Sequence, residues 1–232
     1  MHLVFRRSDD PLRLFDDTSD REGHLVSTAV VGGARARFYI RDVSQPLCSV
    51  GAQLRPGAAE VLFGVHADEL AERHTALEDL WGGSVAPMRD RLAEAGSLEQ
   101  RLDALQELLA QRLPTVRGLH PAVAEALQQL ATATSVHEVV RQSGYSHRTF
   151  IALFSQAVGL TPKVYSRVRR FQRALRQARR PDPQSWVEIA VAVGYSDQSH
   201  FNREFRDYVG VGPTQYRDAS PRFAHHVPVV RR

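Results

Sequence analysis

Two short stretches set polar and basic side chains where one face of a helix would present them. GYSHRTFIALF, residues 144–154, offers His147, Arg148, Thr149, Ile151 and Ala152. GYSDQSHFNREF, residues 194–205, offers Asp197, Gln198, Ser199, His200, Asn202 and Arg203. The chemistry such groups can do is hydrogen bonding to base edges in a duplex groove: Gln and Asn suit adenine, Arg suits guanine, and Ser or Thr is permissive. Solvation alone leaves similar faces on many helices, so the case depends on what surrounds the two sets.

The surroundings repeat. SVHEVVRQSGYSHRTFIALFSQAVGLTPKVY, from Ser135 to Tyr165, returns fifty residues later as SWVEIAVAVGYSDQSHFNREFRDYVGVGPTQY, from Ser185 to Tyr216. Ser135 and Ser185 can cap a helix, with Glu138 and Glu188 three residues on to close a capping box. That helix is expected to bury Val136, Val139 and Val140 in one copy, and Val187, Ile189, Ala190 and Val193 in the other. Gly144 and Gly194 suit a left-handed position past its end, where a side chain would cost energy. After the turn residues Tyr145 and Tyr195, Ser146 and Ser196 are placed to cap a second helix. The second copy then gains one residue. The aromatic stripe that follows, Phe150 and Phe154 or Phe201 and Phe205, would pack the second helix on the first. Helix, glycine turn, crossing helix is a helix-turn-helix.

Between the copies, PKVYSRVRRFQRALRQARR spaces Val164, Val168, Phe171 and Leu175 as a buried stripe amid arginines. A helix of ~18 residues spans ~27 Å, a length suited to holding two reading helices near one DNA turn apart, ~34 Å. Lys163, Arg167 and Arg170 here, with Arg206 and Arg217 beyond, are the candidate phosphate contacts. The charge distribution agrees. Residues 1–113 hold thirteen basic against eighteen acidic side chains, and residues 114–232 seventeen against eight, an asymmetry hidden by the overall +4. A basic half points to a polyanion, nucleic acid or acidic membrane, without choosing between them.

Other chemistry finds little footing. P-loop, GxSxG, HExxH and GxGxxG patterns are absent, so no enzyme activity and no cofactor is expected. One cysteine, Cys48, excludes an intramolecular disulfide and a cysteine zinc site, and reads as a small core residue. His66 and His74 with Asp68, Glu69 and Glu72 imitate a metal cluster but suit a charged helix face better, so no metal is expected. His225-His226 reads as part of a mobile end. No run of ~18 apolar residues predicts a membrane span, and the start lacks a secretory signal, so a cytoplasmic location is expected.

The first ~50 residues read as short strands (HLVFR, LRLF, HLVSTAVV, ARFYIRD, LCSVGAQL) between turn-rich pieces. From Pro56 the spacing turns helical through PGAAEVLFGV and ADELAERHTALEDLW. SLEQRLDALQELLAQRL is the clearest helix, with Ser97 and Gln100 as capping box and Leu98, Leu102, Leu105 and Leu109 as stripe. The expected class is α+β: a small β-rich N-terminal domain with trailing helices over 1–113, then a linker at 114–118. An all-α domain of two helix-turn-helix units on a linker helix follows over 119–218, and a basic tail over 219–232.

IAVAVGYSDQSHFNREFRDYVGVGPTQYR resembles the signature of AraC/XylS-type transcription regulators, and the resemblance runs from about His120 to Arg217. It implies seven helices carrying two helix-turn-helix units that bind one face of double-stranded DNA. Base contacts would fall on Arg148 and Thr149 in the first unit and Gln198, Ser199, Asn202 and Arg203 in the second, with His147 and His200 beside them. Ile151-Ala152 departs from the polar or basic pair usual there, and Gly212 stands where Thr or Ser is usual before the proline. QLRPGAAEVLFGVHADELAERHTALEDLWG is similar to a sensor-like segment ahead of this domain in some members; many others carry a cupin-like barrel there. The two-part architecture leads to the expectation of a small-molecule effector, apolar or aromatic, with RNA polymerase as a further expected partner of a monomer or homodimer. Competing expectations are an architectural DNA-binding protein without a ligand and a metal-dependent N-terminal enzyme.

Overall fold

The computed structural model describes residues 1–44, 48–113, 118–132, 135–180, 184–221 and 227. Two compact units form. The first comprises Met1–Arg35, Tyr39–Glu125 and Tyr145–Thr161, the second Ala36–Phe38, Ala126–Gly144 and Pro162–Arg232. The linker expected at 114–118 lies, except for Gly118, outside the described residues, as does His225-His226.

In the first unit, strands β1 (His2–Arg6), β2 (Arg13–Phe15), β3 (His24–Leu25), β4 (Ala29–Gly32), β5 (Ile40–Arg41) and β6 (Ser49–Gln53) are followed by helix α1 (Ala58–Phe63) and strand β7 (His74–Ala76). They build a four-stranded sheet ordered β6-β1-β4-β7 and a three-stranded sheet ordered β3-β2-β5, with antiparallel pairing throughout. β1 alternates as its sequence does, burying Leu3 and Phe5 on one face. That face, with Val31 and Val50, packs against Phe63, Leu77 and Trp81 and against helices α2 (Glu78–Trp81), α3 (Val85–Glu94) and α4 (Leu98–Arg112). On the other face Val30 meets Leu12 and Leu14 beside the smaller sheet, so β4 is buried on both sides.

Four expectations change here. HLVSTAVV is two strands, β3 and β4, because each joins a different sheet. ADELAERHTALEDLW is not a continued helix. α1 stops at Gly64 in a left-handed cap, and His74–Ala76 forms β7 on the edge of β4. The α4 stripe is rotated: the Ser97–Gln100 capping box forms, but Ala104, Leu105 and Leu108 are buried while Leu98 and Leu102 are exposed. Cys48 is exposed rather than in the core, because it precedes β6 and faces solvent.

The helices beyond are α5 (Pro121–Ala131), α6 (Val136–Ser143), α7 (His147–Val158), α8 (Pro162–Ala178), α9 (Trp186–Ala192), α10 (Gln198–Val209) and α11 (Pro213–Ala219). In the second unit α8, α9, α10 and α11 share a core of Phe171, Leu175, Trp186, Ile189, Phe201, Phe205 and Tyr216. The α8 stripe is narrower than expected, since Phe171 and Leu175 are buried with Ala174 while Val164 and Val168 are half-buried. Among the described residues no helix is long and apolar enough to cross a membrane.

Candidate nucleic-acid interface

The second repeat builds its site from local rules. Ser185 accepts from the Glu188 amide and Glu188 bonds back to Ser185, so the expected capping box starts α9. The buried residue of its first turn is Trp186, while Val187 is 47% exposed and joins Val191 on the outer face. Trp186 packs on Phe201 and Phe205 of α10, ring centroids 5.8 and 5.2 Å away. Gly194 takes φ 87°, the left-handed turn that a Cβ would strain. α10 is capped not by Ser196 but by Asp197, whose carboxylate accepts from the His200 amide at 2.7 Å. Asp197, a candidate groove residue by sequence, thus serves as the helix cap. The extra residue of this copy moves the cap one place on, while Ser196 donates to Asp197 and lies 3.4 Å from His200 Nδ1.

This packing divides α10 into two faces. Phe201, Glu204 and Phe205 point inward, and Gln198, Ser199 and Arg203 are exposed. Asn202 is half-buried, because Gln198, Asn202 and Arg206 line a groove of about 270 Å³ with Gly212, Pro213 and Gln215 at the start of α11. Gly212 has no side chain to cap α11, but Gln215 reaches back and accepts its amide at 3.0 Å, which supplies half of a box. His200 is the exception among the expected base contacts. Its ring is 3.3 Å from Glu204 and edge-on to Tyr195, turned partly into the scaffold.

Glu204 went unnoticed in the sequence and organises the back of the site. It is 1% exposed and lies among cations: Arg167 bonds its Oε1, and Arg170 lies 3.4 Å from both oxygens. Burial alone would raise its pKa, but the Arg167 hydrogen bond and the positive charge of Arg167 and Arg170 hold it below the ordinary carboxylate value. Arg170 also donates to the Gly194 carbonyl and lies over the Tyr195 ring at 4.2 Å. Two expected phosphate contacts, Arg167 and Arg170, thus brace α10 and its turn from α8. The signal available was an acid set between Phe201 and Phe205 on the buried stripe. Lys163 and Arg206 are exposed; Arg217 donates to the Gln184 carbonyl and covers Trp186.

In the first repeat Ser135 caps α6, but the box does not close, because Glu138 turns to Arg141 and Gln142. Val139 and Val140 are buried and Val136 is half-buried. Gly144 takes φ 73°, and Ser146 caps α7 by accepting from the Thr149 amide. Phe150 and Phe154 are fully buried, and His147, Arg148 and Thr149 are exposed on the first turn. The turn tyrosines differ: Tyr195 is 6% exposed, while Tyr145 is 41% exposed, its ring edge against His120. The C-terminal end of α7 is held within the first unit, where the amides of Gly57 and Ala67 donate to the carbonyls of Ala157 and Gln156.

Comparison with known proteins agrees with this geometry. A family described as "Helix-turn-helix domain" matches residues 140–219. An "Uncharacterized HTH-type transcriptional regulator" of Haemophilus influenzae is 31% identical over 104 residues, 44% of this chain and 34% of that protein. The "F1 operon positive regulatory protein" of Yersinia pestis is 38% identical over 82 residues, 34% of this chain and 26% of that protein. The "HTH-type transcriptional activator AarP" of Providencia stuartii is 27% identical over 88 residues, 38% of this chain and 64% of that protein. The chain spans about a third of the length of the first of these relatives.

Proposed function

We propose that this chain, an AraC/XylS-type regulator by its C-terminal helix-turn-helix domain, controls transcription by binding a specific double-stranded DNA site. The carrying observation is the division of α10: an aromatic and ionic face fixed to α8 and α9, and an opposite face offering Gln198, Ser199, Asn202 and Arg203. A helix braced this way can place side chains at base edges without first ordering itself. His147, Arg148 and Thr149 on α7 serve the second half-site. Lys163, Arg206 and Arg217 contact phosphates, Arg217 after releasing Trp186. Residues 119–218 act as the DNA-binding domain and residues 1–113 as a sensor or dimerisation domain, in the cytoplasm, with RNA polymerase a further partner. The two amide bonds from Gly57 and Ala67 to the end of α7 support control by N-terminal residues, since they join the segment after β6 to a reading helix.

Enrichment of random duplex DNA on the protein, compared with an Asn202→Ala, Arg203→Ala variant, tests this reading. The expected result is a two-part motif that loses information in one half in the variant. Equal affinity for scrambled DNA would favour an architectural protein instead.

A further inference from the structure

The face of the four-stranded sheet turned away from the helices carries a cavity of about 40 Å³. Its polar lining is His2 and Arg6 of β1, Ser49 of β6, His74 of β7, Arg41 of β5, and Tyr39 just before β5. No carboxylate is among the residues lining it. Val4, Leu12 and Val30 complete the lining, and from there the same sheet face is apolar, with Val30 buried against Leu12 and Leu14. The polar end is therefore a local departure in a face that otherwise makes core.

The departure is built into the register. His2 pairs with Gly32, and Gly32 pairs with His74, so the glycine stands between two imidazoles on neighbouring strands. A Cβ on Gly32 would lie 2.1 Å from the His2 ring, and the glycine is what allows the rings to approach, centroids 5.8 Å apart. Tyr39 packs edge-on against His74 at 4.5 Å, and Arg35 covers Tyr39 at 4.8 Å. The Arg35 guanidinium reaches His74 Nδ1 at 3.4 Å. A guanidinium can only donate, so Nδ1 accepts and the neutral ring carries its proton on Nε2. That Nε2 is buried and has no partner among the described residues. A buried donor without an acceptor is costly, and an anionic oxygen is the acceptor that a cationic lining favours.

We propose that this cavity binds the anionic head group, carboxylate or phosphate, of a small-molecule effector, with Arg41 and Arg6 supplying charge and His74 Nε2–H a fixed donor. The volume admits a head group and leaves the rest of the molecule outside. This deepens the sensor reading on which it rests, and it replaces the apolar ligand expected from architecture with an anionic one. Burial, reinforced by neighbouring positive charge, pushes His2 down to about 4 and His74 to about 3, so both rings are neutral near pH 7.

Titration of the full chain with inorganic phosphate, acetate and chloride at constant ionic strength, read by calorimetry, tests the site. Saturable binding of phosphate or acetate but not chloride is expected, at least tenfold weaker in Arg41→Gln, with the preferred oxyanion naming the head group. Should Arg41→Gln not fold, Arg6→Gln gives the same reading. No saturable binding, or binding unchanged in the folded variant, overturns the proposal. DNA affinity of the same preparations separates the two readings. Intact DNA binding without anion binding removes this proposal alone, whereas anion binding without DNA binding removes the regulator reading and leaves the site.

Discussion

Asp197 and Glu204 are acids at a helix proposed to meet a polyanion, and each is held by the fold: Asp197 is exposed but caps α10, and Glu204 is buried against arginines. Asp197 stands four residues before Phe201, as Ser146 stands before Phe150. The cap position follows the aromatic anchor rather than the glycine turn. Asp197→Ala should therefore cost about 1 kcal/mol in denaturant unfolding, while Ser196→Ala changes little. A larger loss at Ser196 would contradict the cap assignment. Glu204 is more consequential, because removing it leaves Arg167 and Arg170 facing each other at the base of the reading helix. Glu204→Gln should destabilise by roughly 1–3 kcal/mol, below the range for a fully buried pair because both arginines remain partly in solvent. Its folded pKa is lowered, so its stabilisation is complete above the ordinary value of 4.5 and is lost as pH falls through the lower folded value. His2 and His74 act earlier. Their folded pKa values, about 4 and about 3, lie below the ordinary 6.5, so the unfolded chain takes up protons first and stability begins to fall below pH 6.5. Unfolding followed across pH should show both limbs, with the lower one reduced in Glu204→Gln, since Glu138, Glu188 and Asp197 also have lowered values, and the upper one reduced in His74→Gln.

Elements were legible in the sequence where their rules are local. The serine caps, the left-handed glycines and the phenylalanine stripes lie between Ser135 and Phe154 in one copy and between Ser185 and Phe205 in the other, and the helices formed where those signals placed them, save that Asp197 rather than Ser196 caps α10. β7 was not legible. Its three residues sit inside a run with helical spacing, and only pairing with β4, more than forty residues earlier, makes them a strand. The α4 stripe failed for a related reason. Which leucines a helix buries depends on the sheet edge it lies against, and α4 turned Ala104, Leu105 and Leu108 to the core. The ion cluster on Glu204 joins α10 to an arginine 37 residues away, and no local pattern encodes that pairing. At α11 the sequence departure can be tested directly. Gly212 has an extended backbone, φ −74° and ψ 162°, and a Cβ there would meet nothing nearer than 3.7 Å. Gly212→Ser should complete the box that Gln215 half-forms and raise stability by a few tenths of a kcal/mol, visible as a small rise in Tm. A fall in Tm would mean that the groove beside Arg206 needs the glycine.

At the scale of the whole molecule, the concentration of basic residues after residue 113 should make the proposed DNA affinity steep in salt, but the structure does not give every arginine the same part. Counterion release counts phosphates neutralised, at a slope of about −0.9 for each contact on duplex DNA. Lys163 is exposed and without a carboxylate partner among the described ion pairs, so Lys163→Ala should weaken binding across all sequences and flatten the salt plot by about one contact. Arg170 differs, because its charge already faces Glu204 and its guanidinium holds the Gly194 turn and the Tyr195 ring. Arg170→Ala should lower stability and loosen sequence preference while leaving the salt slope close to wild type. Binding isotherms between 50 and 200 mM salt, a range in which about one contact is readily resolved, separate the two classes. If Arg170→Ala flattened the slope as Lys163→Ala does, Arg170 would be a phosphate contact that exchanges Glu204 for DNA on binding. The buried carboxylate would then be a place-holder for the phosphate rather than a fixed part of the scaffold.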